Sequence, residues 1–193
     1  MYRPLNNDDE SLSHVVELNL SLQGLTQISG LEALPALRSL NAAFNKLEDD
    51  LTFATPCAAT LHRLNVSHNG LISLRGAESL GALEVLKCSD NSITSLAPLA
   101  RCRSLTTLWT FRNPLSRKRP VAATYAPLVA LPLLTTLVST PFDKWSEGSG
   151  DSGSDRSSSS RGAGSSSGGW RAEIIALLPQ VRFISYFYDL ILH

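Results

Sequence analysis

Several things are scarce in this chain, and each scarcity removes a class of protein. No apolar run approaches the roughly 18 residues that would cross a bilayer as a helix, so no membrane span is expected. Cysteine occurs three times, at Cys57, Cys88 and Cys102, an odd number with no CxxC pair, which argues against a disulfide framework and a zinc cage. Neither sign of charge is in excess: 17 basic residues face 17 acidic ones, so bulk charge gives no reason to expect a nucleic-acid binder. A basic start followed by an apolar stretch is missing too, because residues 1–10 carry Asp8, Asp9 and Glu10, the opposite of a signal peptide's order. Reduced thiols and an intracellular location, cytoplasmic or nuclear, are the expectation. At 193 residues there is room for one core and none for a second large catalytic domain.

Catalytic groupings are also lacking. Ser13-His14 and Ser67-His68 set serine beside histidine, but a nucleophile needs its base facing it, and neighbours on a strand point to opposite faces. The four histidines show no i, i+4 pairing of the kind that grips a metal. Glycine is dense only in a serine-rich stretch, without the strand, lysine and helix that a phosphate loop requires. The sequence therefore reads as non-enzymatic, with no cofactor and no metal.

What is present is a repeat. The pattern L-x-L-x-x-N-x-L recurs as Leu40, Ala42, Asn45, Leu47; Leu64, Val66, Asn69, Leu71; Leu86, Cys88, Asn91, Ile93; and Leu108, Thr110, Asn113, Leu115. An earlier unit, Leu18, Leu20, Gln23, Leu25, carries glutamine at the asparagine position, and the first leucines are spaced by 22, 24, 22 and 22 residues. Between these units apolar residues return every third position, as in Leu71, Leu74, Ala77, Leu80, Leu83 and Leu86. Alternation of period two predicts a short strand with its leucines turned inward, and period three predicts a tight 3-10 arc on the opposite side. Such coils bury their apolar faces only against one another, so both ends need caps. The asparagines stand where the chain leaves the strand, and their amides can donate to and accept from turn backbone, a structural role. Cys88 and Cys102 fall at leucine positions and read as small buried apolar residues.

On these residues, 16–115 resemble leucine-rich-repeat proteins of the 22-residue class, the type seen in a nuclear regulatory subunit of protein phosphatase 1. Gly24-Leu25-Thr26-Gln27-Ile28-Ser29 and the longer second repeat ending Leu61-His62-Arg63-Leu64-Asn65-Val66-Ser67 resemble leucine-rich acidic nuclear phosphoproteins. Leu96-Ala97-Pro98-Leu99, Ser104-Leu105-Thr106 and Arg112-Asn113-Pro114 resemble the A-prime subunit of the spliceosomal ribonucleoprotein that recognises the intron branch point. Asn113-Pro114-Leu115 is shared with leucine-rich light chains of axonemal dynein, which adds the cilium to the settings implied. The resemblance implies an α/β fold: a leucine-rich-repeat solenoid with a curved parallel sheet, a convex side of 3-10 arcs and turns, and a helical C-terminal cap. Residues 1–14 are expected to cap or lead into it, 15–140 to form about six repeats with Leu137 opening the last strand, and 170–193 to close it. Residue 185 is serine where the family's cap shows aspartate.

Residues 146–169 hold 11 serines and 7 glycines among 24, too few apolar groups to offset ordering entropy, and are expected to form a disordered loop. Asp155 stands three residues after Ser152, the spacing acidophilic kinases read, so Ser152 is a candidate phosphorylation site; an inert spacer is the other reading. The apolar tail 186–192 either folds over the last coil or anchors a partner.

The outward strand residues line up from coil to coil into one surface. Trp109, Phe111 and Arg112, extended by Phe44, His68 and Lys87, form an expected docking strip for a protein partner, a helix or an extended segment, on the concave face of a chain that is monomeric when free. The competing reading puts Trp109 and Phe111 under the C-terminal cap. Arg101, Arg103, Arg117, Lys118 and Arg119, with Arg112, make a run free of acidic residues, against acids at Asp8, Asp9, Glu10, Glu17, Glu48, Asp49 and Asp50. That basic patch suits an acidic partner or, indirectly, RNA; solvated loop is the plain alternative. Ribonucleoprotein scaffold, ciliary light chain and phosphatase regulator are the narrower functions the resemblances imply.

Overall fold

A computed structural model of the chain describes residues 12–115, 120–139 and 169–185. Among these residues seven strands of three residues each, β1 (Glu17–Asn19), β2 (Ser39–Asn41), β3 (Arg63–Asn65), β4 (Val85–Lys87), β5 (Thr107–Trp109), β6 (Thr136–Val138) and β7 (Phe183–Ser185), form one parallel sheet in sequence order. The register is unbroken: Leu18, Leu40, Leu64, Leu86, Leu108, Leu137 and Ile184 stand side by side at the centre of their strands. From Leu40 to Leu137 these central leucines are no more than 1% exposed, which makes them the spine of the core. The expected curved solenoid is therefore the observed fold.

Five 3-10 turns, Leu31–Ala33, Thr52–Cys57, Ala77–Ser79, Ala97–Arg101 and Ala126–Ala130, return the chain along the side opposite the strands. A helix with three residues per turn sets every third residue on one face, and each turn buries at least one residue, such as Ala77, Leu99 and Leu128. The second turn has six residues, matching the 24-residue repeat. Two helices close the C-terminal end, α1 (Val121–Tyr125) and α2 (Gly169–Leu177), and they pack on each other. Ile174 and Leu178 are fully buried in the core there, and Gln180 Nε2 donates to the Leu131 carbonyl at 3.2 Å.

The asparagine ladder carries the backbone accounting of the turns. Asn69 Nδ2 donates to the carbonyls of Ala42 and Val66, both at 3.0 Å, while its Oδ1 accepts from Leu47 N–H at 3.1 Å. Asn91 and Asn113 repeat this one and two coils on, with Oδ1 accepting from Leu71 and Ile93, both at 3.0 Å. Each amide thus ties its own turn to the preceding coil. The residue just before this position takes a left-handed conformation in each of the first five coils: Leu22, Phe44, His68, Asp90 and Arg112 have φ between 52° and 60°. A side chain there costs about 1 kcal/mol, and the neighbouring amide bonds over-determine the turn that holds it.

All three cysteines are buried and free. Burial pushes the Cys88 thiol up to about 12, and burial with the nearby Glu78 charge pushes Cys102 up to about 11. Each sulfur lies beside a carbonyl of the neighbouring coil, Cys88 Sγ 3.2 Å from Trp109 O and Cys102 Sγ 3.1 Å from Ala77 O.

Candidate functional site

Alternation along each strand turns one column of side chains away from the leucine core, and the unbroken register stacks these columns across coils. Phe44, His68, Lys87, Trp109, Phe111 and Arg112 come together on this face, around a cavity of about 290 Å³. Ala43, Asn65, Ser67, Ser89, Asp90 and Val138 complete its lining.

Two contact chains organise it. Along the left-handed positions, the Phe44 ring stacks on His68 with centroids 4.1 Å apart and planes 10° from parallel. His68 Nε2 then lies 3.5 Å from Asp90 Oδ2, and Arg112 Nη1 lies 3.2 Å from Asp90 Oδ1, so both carboxylate oxygens are engaged. One position inward, Lys87 Nζ sits over the Trp109 ring at 4.2 Å from its centroid. Phe44 is half exposed at 51%, whereas Phe111 is only 7% exposed, outside the leucine cluster, with the Arg112 guanidinium 5.1 Å from its ring centre. Phe111 therefore belongs to the floor of the cavity, and Arg112 is tied to its neighbours rather than reaching outward alone.

Asp90 and Ser89 line the same cavity, outside the six residues of the expected docking strip. Asp90 pairs with His68 and Arg112 because all three occupy the same repeat position, 22 residues apart in each direction. That equality of spacing, and not adjacency in sequence, brings the carboxylate to His68.

The basic patch is divided by the fold. Arg101 and Arg103 are exposed at and just after the fourth 3-10 turn, on the side away from the strands, while Arg112 is on the strand face. Arg117, Lys118 and Arg119 lie outside the described residues, as do Ser152, the rest of the serine-rich stretch before residue 169, and the tail 186–193. Among the described residues no group of three or more His, Cys, Asp or Glu could hold a metal ion, and no helix is long and apolar enough to cross a membrane.

No protein-family model and no curated protein matches this sequence. Its shape has many counterparts, with 108 solved chains matching. One is an internalin from Listeria monocytogenes, which superposes with a TM-score of 0.53 at 20% sequence identity over 67% of this chain and 42% of the internalin. The chain folds as a leucine-rich-repeat solenoid. The matched part spans less than half of that internalin, and at this identity the likeness speaks for the fold alone.

Proposed function

We propose that this chain is a non-enzymatic interaction module that docks a helical or extended segment of a protein partner on the strand face of its solenoid. The observation that carries the reading is the single cavity edge on which Phe44, His68, Lys87, Trp109, Phe111 and Arg112 converge from four successive coils. Aromatic and arginine side chains around a concave depression are the composition of binding hot spots. Trp109 and Lys87, partly exposed and stacked on each other, are the contact pair; Phe44 and His68 extend the contact toward the N-terminal coils; Phe111 and Arg112 shape the floor and rim. A docked segment is the element common to the ribonucleoprotein, axonemal and phosphatase-regulator settings that the repeat pattern resembles.

Affinity purification with mass spectrometry, run side by side on wild type and a Lys87→Ala, Trp109→Ala double variant, tests this. Partners present with wild type and lost with the folded variant are expected. An unchanged partner set overturns the strand-face reading. Substituting Phe111 or Arg112 would be a poorer test, because the first is buried and the second is bound to Asp90.

A further inference from the structure

In the first three coils the strand face satisfies itself. Asn19, Asn41 and Asn65 occupy one repeat position, and each Oδ1 accepts the N–H two residues on, from Ser21 at 3.1 Å, Ala43 at 3.2 Å and Ser67 at 3.1 Å. In the fourth coil that position holds Lys87, which has no acceptor to offer. The equivalent Ser89 N–H then has no acceptor among the described residues. The Ser89 hydroxyl is in the same condition: the residue is 7% exposed, and its Oγ has no hydrogen-bond partner. A buried polar atom left unpaired costs about 1–3 kcal/mol, so the vacant hydroxyl of this cavity-lining residue, with the open N–H beside it, calls for a complement.

We propose that Ser89 and Lys87 form a carboxylate-binding subsite in the concave cavity, which takes an aspartate or glutamate side chain of the docked segment. The inference rests on the docking reading and adds the chemistry of what docks. An N–H, an O–H and an adjoining ammonium are complemented by an anion with several acceptor lone pairs. The charges facing the cavity favour it: Lys87 and Arg112 are positive, and the one carboxylate, Asp90, has each oxygen beside His68 or Arg112. Arg112, committed to Asp90, does not present the free fork that phosphate recognition uses, which points to a carboxylate rather than a phosphoryl group. Of the other lining residues, Asn65 and Ser67 are polar, with Ser67 N–H already donating to Asn65 Oδ1, and Ala43, Phe44, Trp109, Phe111 and Val138 are apolar and suit the residues that flank an acidic side chain in a protein segment. Ser89 Oγ is shut off from solvent in the free chain, and rotation about its Cα–Cβ bond, a fast motion, is what brings the hydroxyl to an incoming carboxylate.

The test uses the full chain against a displayed library of random peptides, with Trp109→Ala, Ser89→Ala and Lys87→Asn as parallel targets. Peptides that need Trp109 are expected to share an acidic position. Changing that acid to its amide should weaken binding to wild type about tenfold, the loss of one charge-assisted bond, and weaken binding to Lys87→Asn and Ser89→Ala by clearly less. Lys87→Asn supplies the acceptor that coils one to three possess, so amide hydrogen exchange at Ser89, fast in wild type, should slow at least tenfold toward the rate at Ser67. Trp109-dependent peptides without an acidic preference, or a preference for phosphoserine over aspartate, overturn the subsite and leave docking intact. An unchanged Ser89 exchange rate in Lys87→Asn also overturns it. If no selected peptide depends on Trp109, the docking reading fails and the subsite with it.

Discussion

Coils one to three and coils four to five share a backbone but put it to different uses. In the earlier coils the second outward column is Asn19, Asn41 and Asn65, each spent on its own turn. In the later coils the same column is Lys87 and Trp109, stacked on each other beside the cavity, and the turn bond at Ser89 is given up. Repeat symmetry makes the positions comparable, so a departure from it marks side chains that their own turn does not use. A solenoid needs every coil to stack, and it does not need every coil to leave its strand face vacant.

Equivalent positions in different coils give the sharpest ways to test this contrast. Gly30 and Gly76 stand at one repeat position, ten residues before Leu40 and Leu86, with φ of 82° and 96°. A Cβ on Gly30 meets nothing within 4 Å, whereas on Gly76 it would lie 2.7 Å from Leu51 C and Thr52 N of the neighbouring coil. Gly76→Ala is expected to lose about 4 kcal/mol, the left-handed penalty plus a backbone clash, or a drop of about 10 °C in Tm, and Gly30→Ala only about 1 kcal/mol. Equal losses in urea titrations would mean that the coils are not packed as described. Asn113 and Gln23 form the next pair. Asn113 is 3% exposed and bonds Cys88 O at 2.8 Å, Thr110 O at 3.1 Å and Ile93 N–H at 3.0 Å. Its replacement by alanine is expected to cost about 3 kcal/mol by stranding buried backbone groups, whereas Gln23→Ala, at the exposed first coil, should stay within about 0.5 kcal/mol.

The thiols of the fourth coil give a pH test. Cys88 and Cys102 have folded values raised to about 12 and about 11 from an ordinary 9.0, so the unfolded thiols ionise first as pH rises. Their contribution to stability is fully present below pH 9 and is lost as pH climbs through 9 toward 12; roughly 3 kcal/mol should be gone by pH 10. Cys88→Ala should halve that slope in urea midpoints measured from pH 8 to 10. The smallest effect is the mirror of the fourth coil's departure. Asn65→Lys removes the acceptor for Ser67 N–H and should cost about 1 kcal/mol, with Ser67 amide exchange accelerating while Ser21 stays protected.

The solenoid was legible because a 22-residue period with two internal periodicities leaves few arrangements that bury so many leucines at once. The asparagine ladder was legible for the same reason, since a polar residue recurring at a strand exit has backbone groups to satisfy. Alternation accounts for Lys87, Trp109 and Phe111 on the outward face, whereas Phe44, His68 and Arg112 stand one residue out of phase with it and join them at left-handed positions. Burial at the end of the face divided the two readings: alternation sends Phe111 and Trp109 outward, the competing reading covers both, and in the folded chain Phe111 is enclosed while Trp109 stays partly exposed. Left-handed backbone at Phe44, His68, Asp90 and Arg112 is not announced by glycine, and only His68 and Asp90 are of types enriched there, yet it sets the line along which they meet. The subsite at Ser89 is written in the sequence as a break, asparagine at 19, 41 and 65 and then lysine at 87, but it acquires meaning only once the turn bond is seen.

The central claim is that partners meet the strand face at the later coils. A photo-reactive benzoylphenylalanine placed at position 109, and in a separate chain at Ser39 on the strand face of the second coil, tests it in the native cell. The account predicts covalent capture of the same protein from position 109 and little or none from position 39. Equal capture from both positions, or capture from 39 alone, would contradict it.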